Sequence, residues 1–140
     1  MRKLNLDKIK SKEFYDYFKD NIKMKECYNN VFNVFTLCPK TFREGKLKVA
    51  YGYTEVMPLL YCRHCFIIDE NDKVIDPTIY AQSEPNLDRD YYVMFVFEDT
   101  DEYLNAIESD NLMPALDKFL RVQDIEAQQW ARENGIIFMG

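Results

Sequence analysis

The chain has little of what marks several large classes of protein. Its 140 residues include only 4 Gly and 5 Pro, which excludes collagen-like and linker-like chains. No stretch approaches the ~18 uncharged apolar residues of a membrane span, and the opening Met-Arg-Lys-Leu-Asn-Leu-Asp runs into charge instead of an apolar signal core. A soluble, cytoplasmic protein with no membrane partner is therefore expected. There are four cysteines, Cys27, Cys38, Cys62 and Cys65. Without a secretion signal, in a chain long enough to bury a full core, they are expected to stay reduced. A basic stripe is also missing. Residues 1–48 carry 12 Lys and Arg against 6 Asp and Glu, and the rest carry 6 against 18. That division speaks against a nucleic-acid partner and for basic N-terminal helices lying against an acidic remainder.

What is present describes one globular domain over residues 1–140. Apolar residues make up 47% of the chain, with 10 Tyr and 10 Phe, and the length suits a single core. Ser11 reads as the cap of a helix over residues 11–23, in which Phe14, Tyr15, Phe18 and Ile22 recur at helical spacing. Cys27 opens a second helix whose broad apolar surface (Tyr28, Val31, Phe32, Val34, Phe35, Leu37) marks it as buried and central, and Pro39 stops it. After the turn 43–46, Leu47, Val49, Tyr51 and Tyr53 alternate with smaller or polar residues as in a strand. Residues 59–68 and 73–76 flank a polar turn and predict a β-hairpin. Residues 79–90 read as irregular, and Tyr91–Phe97 as a central strand. Asp101 and Asp124 lead the C-terminal helices, on which Leu116, Phe119 and Trp130 are expected to pack against the sheet. Helices, then strands, then helices make an α+β domain and not a doubly wound sheet.

One set of residues carries chemistry. A cysteine at a helix start faces the positive end of the macrodipole and unpaired backbone N–H groups, which stabilise a thiolate and offer a site for an oxyanion. Cys27 has this placement, with Lys23 and Lys25 just upstream. His64 is the only histidine, so it alone can serve as an imidazole base. The carboxylate to orient it is Asp76, provided the hairpin register allows. A two-residue turn would put Asp76 on the face opposite His64. A three-residue loop, Glu70-Asn71-Asp72, places Phe66 opposite Asp76 and makes His64 its diagonal neighbour, about 7 Å away between backbones. That loop needs a positive φ, which Asn71 or Asp72 can adopt.

Cys27 at the head of a helix, the strand Val49-Ala50-Tyr51-Gly52-Tyr53, then His64-Cys65-Phe66 and Val74-Ile75-Asp76-Pro77-Thr78 resemble the transglutaminase-like branch of the papain-like cysteine enzymes. The resemblance covers about residues 20–80. It implies a papain-like, transglutaminase-type core, in which a Cys-headed helix packs on an antiparallel sheet, here with extra C-terminal helices. It also implies cysteine-dependent acyl chemistry on an amide or ester of a protein or peptide substrate, as peptidase, deamidase or transferase, without a cofactor. Cys27 would be the nucleophile, His64 the base and Asp76 its orienter. Asn29, Asn30 and Tyr53 are the candidates for a further oxyanion donor. Cys62, on the same strand face as His64, is a candidate to line the cleft, although plain packing explains it as well.

Blander readings compete. Taken singly, a cysteine at a helix start or a histidine on an apolar strand is more often a core residue. Cys62, His64 and Cys65 invite a zinc reading, but Cys65 points away from the other two and no paired Cys-x-x-Cys spacing is present, so no metal is expected. The competing function is a catalytically silent binding or inhibitory protein of the same fold, using its acidic C-terminal surface on a basic partner.

Overall fold

The computed structural model describes residues 1–140, and its first helix starts earlier than the sequence spacing indicates. β1 (Arg2–Leu4) leads into α1 (Lys8–Phe18), which is capped by Asp7 and not by Ser11. The Asp7 carboxylate accepts the Lys10 backbone N–H at 2.9 Å. Ser11 is buried inside the helix, where its hydroxyl accepts the Asp76 N–H at 2.9 Å from across the fold. A single 3₁₀ turn, Lys19–Asn21, ends this first element. α2 spans Cys27–Leu37 and buries Cys27, Asn30, Val31, Val34 and Phe35. Pro39 both ends α2 and opens the short α3 (Pro39–Arg43), because its missing N–H is no loss in a first helical turn.

β2 (Leu47–Met57) and β3 (Leu60–Asp69) form a long antiparallel hairpin. β4 (Val74–Ile75) follows, then a 3₁₀ turn at Pro77–Ala81, β5 (Tyr91–Phe97), α4 (Thr100–Ser109), α5 (Arg121–Glu133) and β6 (Ile137–Met139). The α+β class is therefore the observed one. The sheet runs β1-β5-β2-β3-β4, and β6 pairs with β3 in parallel, so the sheet is mixed where an antiparallel one was expected. β1 and β6 are three residues each, too short for any periodicity to mark them. α4 is capped by Asp99, two residues before the expected Asp101, and α5 begins ahead of Asp124. β5 lies inside the sheet, between β1 and β2, although only its ends, Tyr91 and Phe97, are buried. Leu116 is fully buried, Phe119 stacks on Phe97, and Trp130 packs on Tyr92. No helix is long and apolar enough to cross a membrane.

Two features of the sheet decide where a site can be. β4 pairs only with Ile67 and Ile68 of β3, and β6 only with Leu60, Tyr61 and Cys62. Residues Arg63–Phe66 are thus left without a strand neighbour on that edge. Next to this gap, Gly52 of β2 pairs with His64, at a point where the β2–β5 register shifts. A Cβ at Gly52 would stand 1.9 Å from the Tyr92 carbonyl oxygen, so only glycine allows β5 to approach this closely.

Candidate active site

The β3–β4 hairpin adopts the register that unites His64 with Asp76. Ile67 pairs with Ile75 and Ile68 with Val74, leaving a three-residue loop in which Asp72 takes a φ of +57°. Asp69 closes the loop: its Oδ1 accepts the backbone N–H groups of Asn71 at 2.8 Å and Lys73 at 3.0 Å. Burial alone would raise the pKa of Asp69, but these two N–H donors and the Lys10 ammonium outweigh it and hold the carboxyl below its usual range. Sequence reasoning gave Asp69 no role, although an Asp that opens a turn commonly accepts the backbone N–H two residues on, as an Asx turn does.

His64 Nε2 donates to Asp76 Oδ2 at 2.7 Å. Asp76 has no exposed surface, and Tyr91 Oη donates to the same Oδ2 at 2.6 Å. Burial of the ring would lower the pKa of His64. The Asp76 carboxylate, by charge and by its hydrogen bond, and the charge of Cys27 overcome this and push it up to about 10. With Nε2 engaged by Asp76, Nδ1 is the ring nitrogen left for the thiol.

Cys27 reaches the ring because α2 begins beside the open stretch of the β3 edge. Asn30 fixes that start: its Nδ2 donates to the Lys23 carbonyl at 2.7 Å and to Thr78 Oγ1 at 3.0 Å, while its Oδ1 accepts the Lys23 N–H at 2.9 Å. Thr78 lies two residues beyond Asp76, so one buried amide ties the cysteine's helix to the segment carrying the carboxylate. Glu26, the residue before α2, makes no side-chain cap, so it leaves the N–H groups of the first turn free of a capping oxygen. Those N–H groups point in the direction that binds an oxyanion. Cys27 keeps 7% of its surface exposed and the His64 side chain 12%.

The structure brings together Cys27, His64 and Asp76, but the expected auxiliary residues are engaged elsewhere. Asn29 is exposed and bonds Glu26 on the surface. Asn30 is committed to the bridge just described. Tyr53 donates to Asp124 at 2.9 Å and stacks on Phe138. Cys62 is half-buried and free. Lys23 and Lys25 are exposed, Lys25 in the left-handed region. Cys65 is buried, and Cys38 is half-buried where full burial was expected; burial raises both thiols' pKa. No group of three His, Cys, Asp or Glu side chains is arranged to hold a metal ion.

A second polar cluster, which sequence reasoning missed, lies beside the first. Arg63, only 5% exposed in its side chain, bonds Asp124 through Nε at 3.0 Å and, through Nη1, Asp117 at 3.0 Å and the Tyr28 hydroxyl at 3.1 Å. Its guanidinium lies over the rings of Tyr28 and Tyr51, 5.3 and 5.9 Å from their centroids. The available signal was an arginine inside an otherwise apolar strand, which demands buried partners. Tyr28 and Arg63 are the chain neighbours of Cys27 and His64, so this contact spans the same gap as the thiol and the imidazole.

No protein-family model, curated protein or solved structure matches the chain. A thiol at an uncapped helix start, an imidazole whose one nitrogen is held by a buried carboxylate, and free N–H groups on the nucleophile's own helix turn are the parts that nucleophilic acyl transfer requires.

Proposed function

We propose that the protein is a cysteine-dependent acyl-transfer enzyme with a papain-like, transglutaminase-type core, acting in the cytoplasm on an amide or ester of a protein or peptide. The Cys27 thiolate attacks the carbonyl carbon, forming the C–S bond as electrons move onto oxygen, where the first-turn N–H groups of α2 stabilise them. The C–N or C–O bond then breaks, and the His64 imidazolium gives its proton to the leaving group. Water or an amine, deprotonated by His64, attacks the thioester and releases Cys27. Asp76 holds the ring and stabilises its charged form throughout. Hydrolysis, deamidation and transfer share these steps and differ in the second nucleophile. The observation that carries the reading is the 2.7 Å His64–Asp76 bond on a ring that also interacts with Cys27.

The second reading, a silent binding protein that uses its acidic C-terminal surface, is favoured by closure, since Cys27 is 7% exposed. Iodoacetamide labelling followed by mass spectrometry separates the two. The enzyme reading expects Cys27 to be alkylated at least ten times faster than half-buried Cys62 at neutral pH, and His64→Ala to remove that advantage. Equal rates at Cys27 and Cys62, unchanged in the variant, would favour the binder.

A further inference from the structure

The carboxylate of Asp76 is used unevenly. Oδ2 receives two donors, His64 Nε2 at 2.7 Å and Tyr91 Oη at 2.6 Å, whereas Oδ1 is buried with no partner at all. A carboxylate has lone pairs on both oxygens, so two donors converging on one of them mark an arrangement imposed by the surrounding fold. Tyr91 supplies that constraint. It stands at the first position of β5, fully buried, with its ring 5.0 Å from Phe66 and 6.2 Å from His64. Its hydroxyl stays protonated, because burial and the adjoining Asp76 raise the phenol well above its usual pKa; the phenol is thus a donor across the working pH range.

A donor on a carboxylate takes up part of its charge and weakens its hold on any other partner. We propose that Tyr91 is a positioning residue that acts through Asp76, turning Oδ2 toward His64 and limiting how strongly Asp76 retains the imidazolium. The proposal rests on the triad reading and adds a fourth member to it. An imidazole held too firmly in its charged form is a poor proton donor, and the leaving group depends on that donation. Tyr91 moderates the grip of a carboxylate whose only other side-chain donor is His64 itself. The charged and titratable groups facing this set are Cys27 from α2, Cys65 from β3, which feels both Cys27 and Asp76, Asp76 itself, and Arg89, whose charge acts on Tyr91 from the segment before β5.

With a single histidine in the chain, one imidazole resonance reports His64 without assignment. The test titrates it by NMR in the full-length protein, in Tyr91→Phe, in Cys27→Ser and in the double variant. Tyr91→Phe keeps the buried ring and deletes only the hydroxyl, so it should raise the His64 pKa by roughly half a unit to one unit in both backgrounds. An unchanged or lowered value in both overturns the proposal, since a merely structural tyrosine would alter stability and leave the titration in place. A rise in only one background also overturns it, because the effect is argued to pass through Asp76 and not through the thiol. Cys27→Ser separates this failure from that of the triad: if serine leaves the His64 pKa where the wild type has it, thiol and imidazole are not coupled, whatever Tyr91 does.

Discussion

Arg63 and His64 are consecutive on β3 and point to opposite faces of the sheet; His64 is held by a carboxylate 12 residues on in the same hairpin, and Arg63 by one 61 residues away. On one face the guanidinium has three partners on Nε and Nη1, while Nη2 is buried without one. Asp124, Asp117 and the Tyr28 hydroxyl surround a group that is charged at every accessible pH. On the other face the imidazole has one carboxylate, itself shared with Tyr91, feels the charge of Cys27, and keeps a second ring nitrogen without a carboxylate partner. A permanently charged side chain anchored by three partners braces structure; a titratable one with an uncommitted nitrogen can move a proton. The contrast explains how adjacent residues of one strand serve a strut and a reaction centre without exchanging roles.

The largest effect that should expose this difference is on stability. Arg63→Ala leaves Asp124 without its cation and removes the guanidinium from the rings of Tyr28 and Tyr51, a loss of about 3–5 kcal/mol. Measured near pH 10, where the imidazolium no longer contributes, His64→Ala should cost less, on the order of 1–2 kcal/mol, because the group removed is then one neutral ring with a single carboxylate partner. Denaturant titrations of the two variants at that pH check the order. A His64→Ala variant less stable than Arg63→Ala would mean that the imidazole is the strut.

The second effect depends on pH. The folded protein raises the His64 pKa to about 10, whereas the unfolded chain has about 6.5. The fold therefore binds the imidazolium proton more tightly than the unfolded chain does. Its contribution is complete below about pH 6.5 and disappears as the pH rises through about 10. Arg63 has no such window. The stability difference between the wild type and His64→Ala should shrink steadily from pH 6 to pH 10, while that between the wild type and Arg63→Ala stays level over the same range. A His64 difference that does not change with pH would show that the ring is neutral in the fold.

The same two residues show what was legible in the sequence. His64, Cys27 and Asp76 could be read because their chemistry is rare in the chain and their order and spacing restrict the geometry; even the hairpin register followed from asking which loop length puts two side chains on one face. The limits of α2, β3 and β5 followed from strong apolar patterns. The cap of the first helix lies four residues before Ser11, at Asp7, which accepts the Lys10 N–H, and nothing local reveals that the buried Ser11 hydroxyl is needed to hold Asp76. Tyr91 and Arg63 could not be assigned, since their partners lie 15 and 61 residues away along the chain. Such contacts come from the fold as a whole. The auxiliary donors failed for the opposite reason: Asn29, Asn30 and Tyr53 are common residue types with many local uses, and each had found one.

The smallest effect concerns the two acids on Arg63. Both stand 3.0 Å from the guanidinium, yet the Asp124 side chain is 18% exposed and that of Asp117 is 86% exposed. Distance alone would rank them equal. Solvent does not, because an exposed carboxylate loses little hydration when its partner is removed and is screened by salt when the partner is present. Asp117→Asn should therefore change stability by less than about 1 kcal/mol, and by less still in high salt. Asp124→Asn also weakens the acceptor of the Tyr53 hydroxyl in a half-closed site and should cost about 1.5–3 kcal/mol. Parallel denaturant curves at low and high ionic strength measure both. Equal, salt-sensitive losses would place the whole Arg63 cluster at the surface and remove its claim to brace the gap between α2 and β3. A large, salt-insensitive loss for Asp124→Asn alone would assign the bracing to α5.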